Sequence, residues 1–332
     1  MVRLVHIAGG PRNREVWTDE FVAALAAQGD LTMRERTGPL ADEDMASLVR
    51  AHDVAIVGWD SYGLPTALAD DPGALRYVCS YSGTIRHTVP RQLIEAGIVV
   101  SNWGPLASDG VAEGAMALLL AGLKELPRFG GAQRGGEWGI EDGRIGSIHG
   151  LRVGIYGLGY VGRRFVDLLR PFGARMMAFD PYVAEFPDDV DRADSLLDLC
   201  DFAEALVVHA GHSAETRSSL DRECLARLVD GAMVVNTARG EIFDQEALFA
   251  ELASGRLRAG LDVLAPERLD PEHPLRAADN VMFTFHQISS ARWPKRPGLS
   301  PMQQLVVDQI DRFQRGEPVL YQFDLDRFDR ST

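Results

Sequence analysis

The sequence predicts an α/β protein of two domains, each a parallel sheet covered by helices, with the first domain discontinuous. Three observations carry this expectation. Short apolar runs of β type alternate with helical stretches along nearly the whole chain, the pattern of parallel sheets with crossover helices. The chain has 332 residues, long for one compact core and comfortable for two. A stretch rich in glycine and polar residues, GGAQRGGEWGIEDGRIGSIHG, separates two such alternating series, and a helical stretch after the second series, Pro301–Arg315, is placed to return to the first domain.

In the first series, strands are expected at Arg3–Ala8, Val54–Val57, Leu75–Cys79 and Ile98–Ser101, with helices over Arg14–Gln28, Asp42–Ala51 and Val89–Ala96. A long helix over GVAEGAMALLLAGLKELPR follows, with Ser108 or Asp109 as cap and Pro127 as stop. The second series has strands at Arg152–Tyr156, Arg175–Phe179, Ala205–His209, Ala232–Asn236, Ala259–Val263 and Val281–Thr284. Six strands with helices between them suit a doubly wound sheet. The boundaries read 1–104 plus 295–332 for the first domain and 105–294 for the second.

Composition narrows the function classes. Hydrophobic residues make up 46% and charged residues 25%, the balance of a soluble globular protein. The net charge of −14 would repel a polyphosphate backbone, which argues against a nucleic-acid partner. An anionic small molecule would have to be drawn in by a few placed arginines. Cys79, Cys200 and Cys224 are far apart and show no metal-ligand spacing, so no metal is expected and a reducing, cytoplasmic setting is. The opening MVRLVHIAGG reads as a strand and not a targeting segment. The longest apolar run, Ala115–Leu123, is about half of what spans a bilayer, so no membrane partner is expected.

The sharpest local signal is VGIYGLGYVG, in which Gly157, Gly159 and Gly162 form G-x-G-x-x-G. Such a loop needs its glycines for a tight turn, for close approach to a pyrophosphate, and for packing of the helix on the strand. The helix beginning at Tyr160 and Val161 aims its free N–H groups and positive dipole end at the phosphates. A lone match is weak, but here an apolar strand precedes it, a helix follows, and the next strand ends at Asp180, 18 positions past Gly162. A carboxylate there accepts the ribose hydroxyls and repels a 2′-phosphate, which favours NAD over NADP. Both domains are therefore expected to be Rossmann-like or flavodoxin-like.

Beyond this loop, the chain resembles the D-isomer-specific 2-hydroxyacid dehydrogenases over most of its length. Four segments carry the resemblance: GVAEGAMALLL, GLGYVG with Asp180, VVNTARGEIFDQEALFAEL running into SGRLRAGLDVLAPERL, and NVMFTFH. It implies a catalytic trio of Arg239, Glu267 and His286. It places Asp262 near the nicotinamide, and His209 and Thr237 also fall in the implied dinucleotide set. A homodimer built around the long joining helix is implied as well.

The residue chemistry fits a 2-oxo acid and its 2-hydroxy counterpart. Arginine grips a carboxylate with paired, charge-assisted hydrogen bonds. Histidine gives a proton to the developing alkoxide and takes it back in reverse. A carboxylate beside the ring fixes it and favours imidazolium by about 1–3 pKa units when close. The substrate loop departs from the family's usual G-x-G-x-D-N-I-D: it reads SYSGTIRHTVP, with Gly83 retained. Backbone N–H groups of Ser82, Gly83 and Thr84 are expected to hold the substrate carboxylate, and Arg86 either to meet a second polar group of the substrate or to pair with an acid at the domain edge. Trp138 and Trp293 are candidates for the pocket entrance. Two other readings stay open: oxidation of another small oxyanion, against which Glu267 speaks, and a dinucleotide-sensing binding protein, against which the complete trio speaks.

Overall fold

In the computed structural model of the protein, residues 1–7, 16–34, 38, 40–59, 61–140, 145–288 and 297–331 are described. The chain divides into two compact units, Met1–Leu106 with Trp293–Thr332, and Ala107–Arg292. The expected Ala8, Arg14 and Trp293 lie outside the described residues.

Unit 1 is built on five parallel strands, β1 (Val2–His6), β2 (Gly29–Met33), β3 (Val54–Val57), β4 (Tyr77–Ser80) and β5 (Val99–Ser101). Their order is β2-β1-β3-β4-β5, the flavodoxin-like arrangement. The central strands are apolar on both faces because helices cover both. Val5, Ala55, Val57 and Val78 enter the core on one face; Leu4, Val54, Ile56, Tyr77 and Cys79 enter the other. The helices are α1 (Asp19–Gln28), α2 (Asp42–Arg50) and α3 (Arg91–Glu95). The C-terminal stretch belongs to this unit. Helix α10 (Pro301–Gln314) begins with a capping box formed by Ser300 and Gln303. The Gln303 side-chain amide then donates to the Val16 carbonyl at 2.6 Å.

Unit 2 opens with α4 (Ser108–Leu123) and α5 (Leu126–Gly135), then carries seven parallel strands: β6 (Arg152–Tyr156), β7 (Arg175–Phe179), β8 (Val190–Arg192), β9 (Ala205–Val208), β10 (Met233–Asn236), β11 (Arg258–Leu261) and β12 (Val281–Phe283). Their order, β12-β11-β10-β9-β6-β7-β8, reverses between β6 and β9, the point where open α/β sheets bind ligands at their carboxyl edge. The helices that follow in unit 2 are α6 (Tyr160–Leu169), α7 (Leu196–Phe202), α8 (Arg222–Arg227) and α9 (Gln245–Ala253), and α11 (Leu325–Arg330) ends unit 1.

Two sequence expectations are corrected. Strands β2 and β8 were not anticipated; both are edge strands with at most one buried residue each, so neither carries an apolar run. The long helix does not stop at Pro127. Its break is at Glu125, whose backbone is left-handed (φ 51°), and Pro127 sits in the first turn of α5, where a missing N–H costs nothing. The stretch expected to be all loop thus begins as a helix.

Candidate functional site

At the switch point of the unit 2 sheet, the glycine loop follows β6. Gly157 is left-handed (φ 95°), and a Cβ there would lie 2.5 Å from the Ala210 nitrogen; a Cβ on Gly162 would lie 2.1 Å from the Gly157 carbonyl oxygen. These two glycines are demanded by the turn and by helix–strand packing. Gly159 is different. A Cβ there would meet no atom of the described residues within 4 Å, so internal packing does not explain a glycine at the cap of α6, whereas approach of a phosphate does. Asp180, at the end of β7, accepts the Leu158 N–H at 2.8 Å and the Tyr182 N–H at 3.0 Å. Each carboxylate oxygen keeps a second lone pair for a ribose hydroxyl.

Two buried polar groups at this edge find no partner among the described residues: the Thr237 hydroxyl after β10, and both ring nitrogens of His209 after β9. Buried polar groups are nearly always satisfied, so these point to a ligand or ordered solvent at that edge. Burial also pushes the His209 pKa down to about 3, so the ring is neutral near physiological pH. The donor set, the open Gly159 and the orphaned groups together fit a dinucleotide.

The trio comes together farther along the same edge. Arg239 leaves β10 on a turn pinned by Asn236, whose side-chain amide donates to the Arg239 carbonyl at 2.9 Å and accepts the Ala238 N–H at 3.0 Å. Gly240 lets that turn press on the next loop, since a Cβ would lie 2.1 Å from the Leu264 carbonyl carbon. The Arg239 guanidinium is mostly buried and donates to the Ala238 carbonyl at 2.7 Å. Among the described residues no carboxylate stands within ion-pair distance of it. Burial lowers its pKa, partly offset by Glu241 and Glu267 nearby. An arginine has five N–H donors, and a buried cation without a counter-ion is costly. The arrangement is suited to receive an anion.

His286 Nδ1 and Glu267 Oε1 are 2.8 Å apart. This contact assigns the Nδ1 proton to the side facing Glu267 and leaves Nε2 for chemistry. Both Phe285 (φ 56°) and His286 (φ 57°) are left-handed, an uncommon conformation that non-glycine residues hold only when their surroundings impose it. What imposes it here is Asp262, buried at the end of β11. Its Oδ1 accepts the Thr284 hydroxyl at 2.7 Å, the Gln287 N–H at 2.9 Å and the Ile288 N–H at 3.2 Å. The Asp262 carbonyl accepts the His286 N–H at 2.5 Å. Asp262 is thus a positioning residue for the histidine turn. Glu267, Asp262 and His286 line a cleft of ≈ 630 Å³ within unit 2, a volume that suits a small-molecule site.

In unit 1, the loop after β4 departs from expectation at Ser82, and it turns Arg86 to Asp329, the acid-facing of the two roles expected for that arginine. Ser82 is fully buried; its N–H donates to Ser80 Oγ at 3.2 Å and its hydroxyl to the Thr84 carbonyl at 2.8 Å, so both its donors are spent inside the loop. Arg86 does not project its fork outward: it donates to the Phe328 carbonyl at 3.2 Å and the Asp329 carbonyl at 2.5 Å, at the end of α11. Those last carbonyls of a helix lack internal donors, and a guanidinium satisfies them. Of the expected set, Gly83 and Thr84 retain N–H groups without an acceptor among the described residues. Trp138 is fully exposed.

The model of the D-isomer-specific 2-hydroxyacid dehydrogenase NAD-binding domain matches residues 116–287, just over half of the chain. The chain belongs to the D-isomer-specific 2-hydroxyacid dehydrogenase family. Unit 2 is the family's NAD-binding domain, and the fit of the cradle agrees with that. Relatives include D-3-phosphoglycerate dehydrogenase of Methanocaldococcus jannaschii, 30% identical over 67% of this chain and 42% of that protein. Hydroxypyruvate reductase of Thermotoga maritima is 32% identical over 64% of this chain and 70% of that protein. The murine glyoxylate reductase/hydroxypyruvate reductase is 28% identical over 80% and 90%. Among solved structures, the TT0316 protein of Thermus thermophilus aligns with a TM-score of 0.76 at 26% identity, covering 97% of this chain and 100% of that one. A family member from Xanthobacter autotrophicus Py2, solved with NADPH and MES, aligns with a TM-score of 0.75 at 25% identity over 98% and 99%.

Three supporting residues escaped the sequence reading of this family member: Asn236 under Arg239, Thr284 on Asp262, and Gln245, whose side-chain oxygen accepts the Ala265 N–H at 2.8 Å. Asn236 carried a signal, an Asx residue ahead of a turn. The other two act across 20 or more positions of sequence, where no local pattern exists.

Proposed function

We propose that the protein is an NAD-dependent D-2-hydroxyacid dehydrogenase, reducing a small 2-oxo acid or running the reverse reaction. The observation that carries this is the mostly buried Arg239 guanidinium, with no carboxylate at ion-pair distance among the described residues, on the same sheet edge as the His286–Glu267 pair. Arg239 holds the substrate carboxylate through its unused N–H donors. His286 Nε2 carries the proton given to the carbonyl oxygen, and Glu267 keeps the ring oriented through Nδ1. NADH, when bound, supplies the hydride to the carbonyl carbon. In the reverse direction Nε2 takes the hydroxyl proton.

Unit 1 acts as the substrate domain in this reading, offering the Gly83 and Thr84 N–H groups to a carboxylate. Gly157, Gly159, Tyr160, Val161, Gly162, Asp180, His209 and Thr237 form the dinucleotide set, with Asp180 favouring NAD over NADP. The protein works as a homodimer: α5 buries none of its residues, and Leu126, Phe129 and Trp138 expose apolar surface for a second copy. Three free, buried cysteines suit a cytoplasmic setting. No described helix is long and apolar enough to cross a membrane.

The test follows NADH loss with a panel of 2-oxo acids, using His286→Ala and NADPH as controls. Turnover that prefers NADH and falls by about 100-fold or more without His286 supports the proposal. Tight NADH binding with no turnover on any acid would sink it in favour of a dinucleotide sensor.

A further inference from the structure

Unit 1 carries an aromatic surface at the carboxyl ends of its strands, where doubly wound sheets take ligands. Trp59 follows β3, Tyr81 follows β4 and Trp103 follows β5. Trp59 stands edge-on to Trp103, with ring centres 5.0 Å apart, and edge-on to Tyr81 at 5.7 Å. Tyr81 is fully buried and Trp103 partly so, and both pack into the core of the unit. Trp59 is not part of that core and is 41% exposed. An exposed tryptophan on a free loop would be ordinary, but this one is fixed. Gly58 N–H donates to Ser61 Oγ at 2.9 Å, and Ser61 N–H donates to the Gly58 carbonyl at 3.1 Å, closing the turn that presents it.

The loop proposed to hold a carboxylate runs across this surface. A Cβ on Gly83 would lie 2.6 Å from Trp103 Nε1, so the loop approaches the Nε1 side of the indole closely enough to require a glycine. Asn102 fixes it there, donating to the Gly83 carbonyl at 2.7 Å. Carboxylate donors and an apolar aromatic surface therefore occupy the same few residues. In a 2-oxo acid the carboxylate and the side chain are separated by a single carbonyl carbon, so the two features together describe a substrate with a bulky apolar side chain. Among the described residues a neighbouring cation is Arg327, which donates to Asn102 Oδ1 at 2.9 Å and disfavours a positively charged side chain.

We propose that Trp59 and Trp103, backed by the buried Tyr81, take an aryl side chain, so that the substrate is an aromatic 2-oxo acid and not a short or cationic one. This rests on the 2-oxo acid reading above. Burying one face of an aryl ring favours such a substrate over glyoxylate by about 10- to 100-fold in kcat/KM.

The experiment compares phenylpyruvate, glyoxylate, 2-oxoglutarate and 2-oxo-5-guanidinopentanoate with NADH, in the wild type, Trp59→Ala and Trp59→Phe. Alongside it, quenching of intrinsic tryptophan fluorescence by phenylpyruvate is titrated in the NADH-free protein. The expected result is a phenylpyruvate preference whose ratio over glyoxylate collapses in Trp59→Ala and largely returns in Trp59→Phe, with saturable quenching lost in Trp59→Ala. Preference for any of the other three acids, or a Trp59→Ala loss equal on all of them, overturns the aryl assignment while leaving the dehydrogenase reading intact. No turnover on any acid defeats that reading instead. Fluorescence then still decides whether the surface binds an aryl acid, and absence of saturable quenching overturns it.

Discussion

Asp262 offers the most informative perturbation. Its buried carboxylate takes three donors on Oδ1, from Thr284, Gln287 and Ile288, at 2.7, 2.9 and 3.2 Å. Hydrogen bonds to a charged acceptor contribute about 1.5–3 kcal/mol each, so the three are worth roughly 5–9 kcal/mol before desolvation of the carboxylate is subtracted. Against them stand two consecutive left-handed residues, Phe285 and His286, which cost about 1–3 kcal/mol each. The balance is close enough that removing the carboxylate releases the turn. In Asp262→Ala the histidine loses its fixed position, and kcat/KM falls by about 100-fold or more, equivalent to ~2.7 kcal/mol. Asp262→Asn keeps one acceptor oxygen and the shape of the side chain, and recovers a part of that loss. The assay is steady-state NADH oxidation at saturating cofactor, paired with direct titration of NADH. A positioning role predicts that kcat falls while the NADH Kd of Asp262→Asn stays within about 3-fold, a change of under 1 kcal/mol. An unchanged kcat with a strongly weakened NADH Kd would refute the argument and make Asp262 a direct cofactor contact.

Two further predictions concern buried charge. Arg239→Met abolishes measurable turnover on every 2-oxo acid, yet the free protein is no less stable to urea than the wild type, because a mostly buried cation with no carboxylate at ion-pair distance among the described residues is replaced by an apolar side chain of similar length; a stability loss above about 2 kcal/mol would contradict this. His209 sets an acid limb of stability: the unfolded ring takes up its proton near pH 6.5 while the folded one waits until about 3. Its contribution is therefore fully present above pH 6.5 and is lost as pH falls from there towards 3. His209→Gln should reduce the slope of unfolding free energy against pH in that window by up to about one proton, and an unchanged slope would exclude His209 as its source.

Most of the architecture, and the residues proposed to react, are legible in the order of residues. The central strands were legible because both faces of a parallel sheet are covered, which forces continuous apolar runs such as VAIV and MVVN. The glycine loop was legible because its three glycines, the strand before it and Asp180 are constrained by one short stretch of chain. Arg239, Glu267 and His286 were named through the order of four segments, and the structure brings them to one sheet edge.

Where side chains spend their hydrogen bonds was settled only by the folded arrangement. Edge strands β2 and β8 bury one residue each, so their sequences carry no apolar run. Of the two roles open to Arg86 the fold takes the domain-edge one: α11, more than two hundred residues later, presents helix-end carbonyls and Asp329 to it. Ser82 turned inward for the same reason: Ser80 and Thr84 offered partners inside the loop. The fixing of His286 by Asp262, and the meeting of Trp59, Trp103 and Tyr81, join groups from different strand ends. Periodicity reports which face of an element is buried; it carries no information about which distant donor or ring will be opposite, because that is set by how strands are ordered in the sheet.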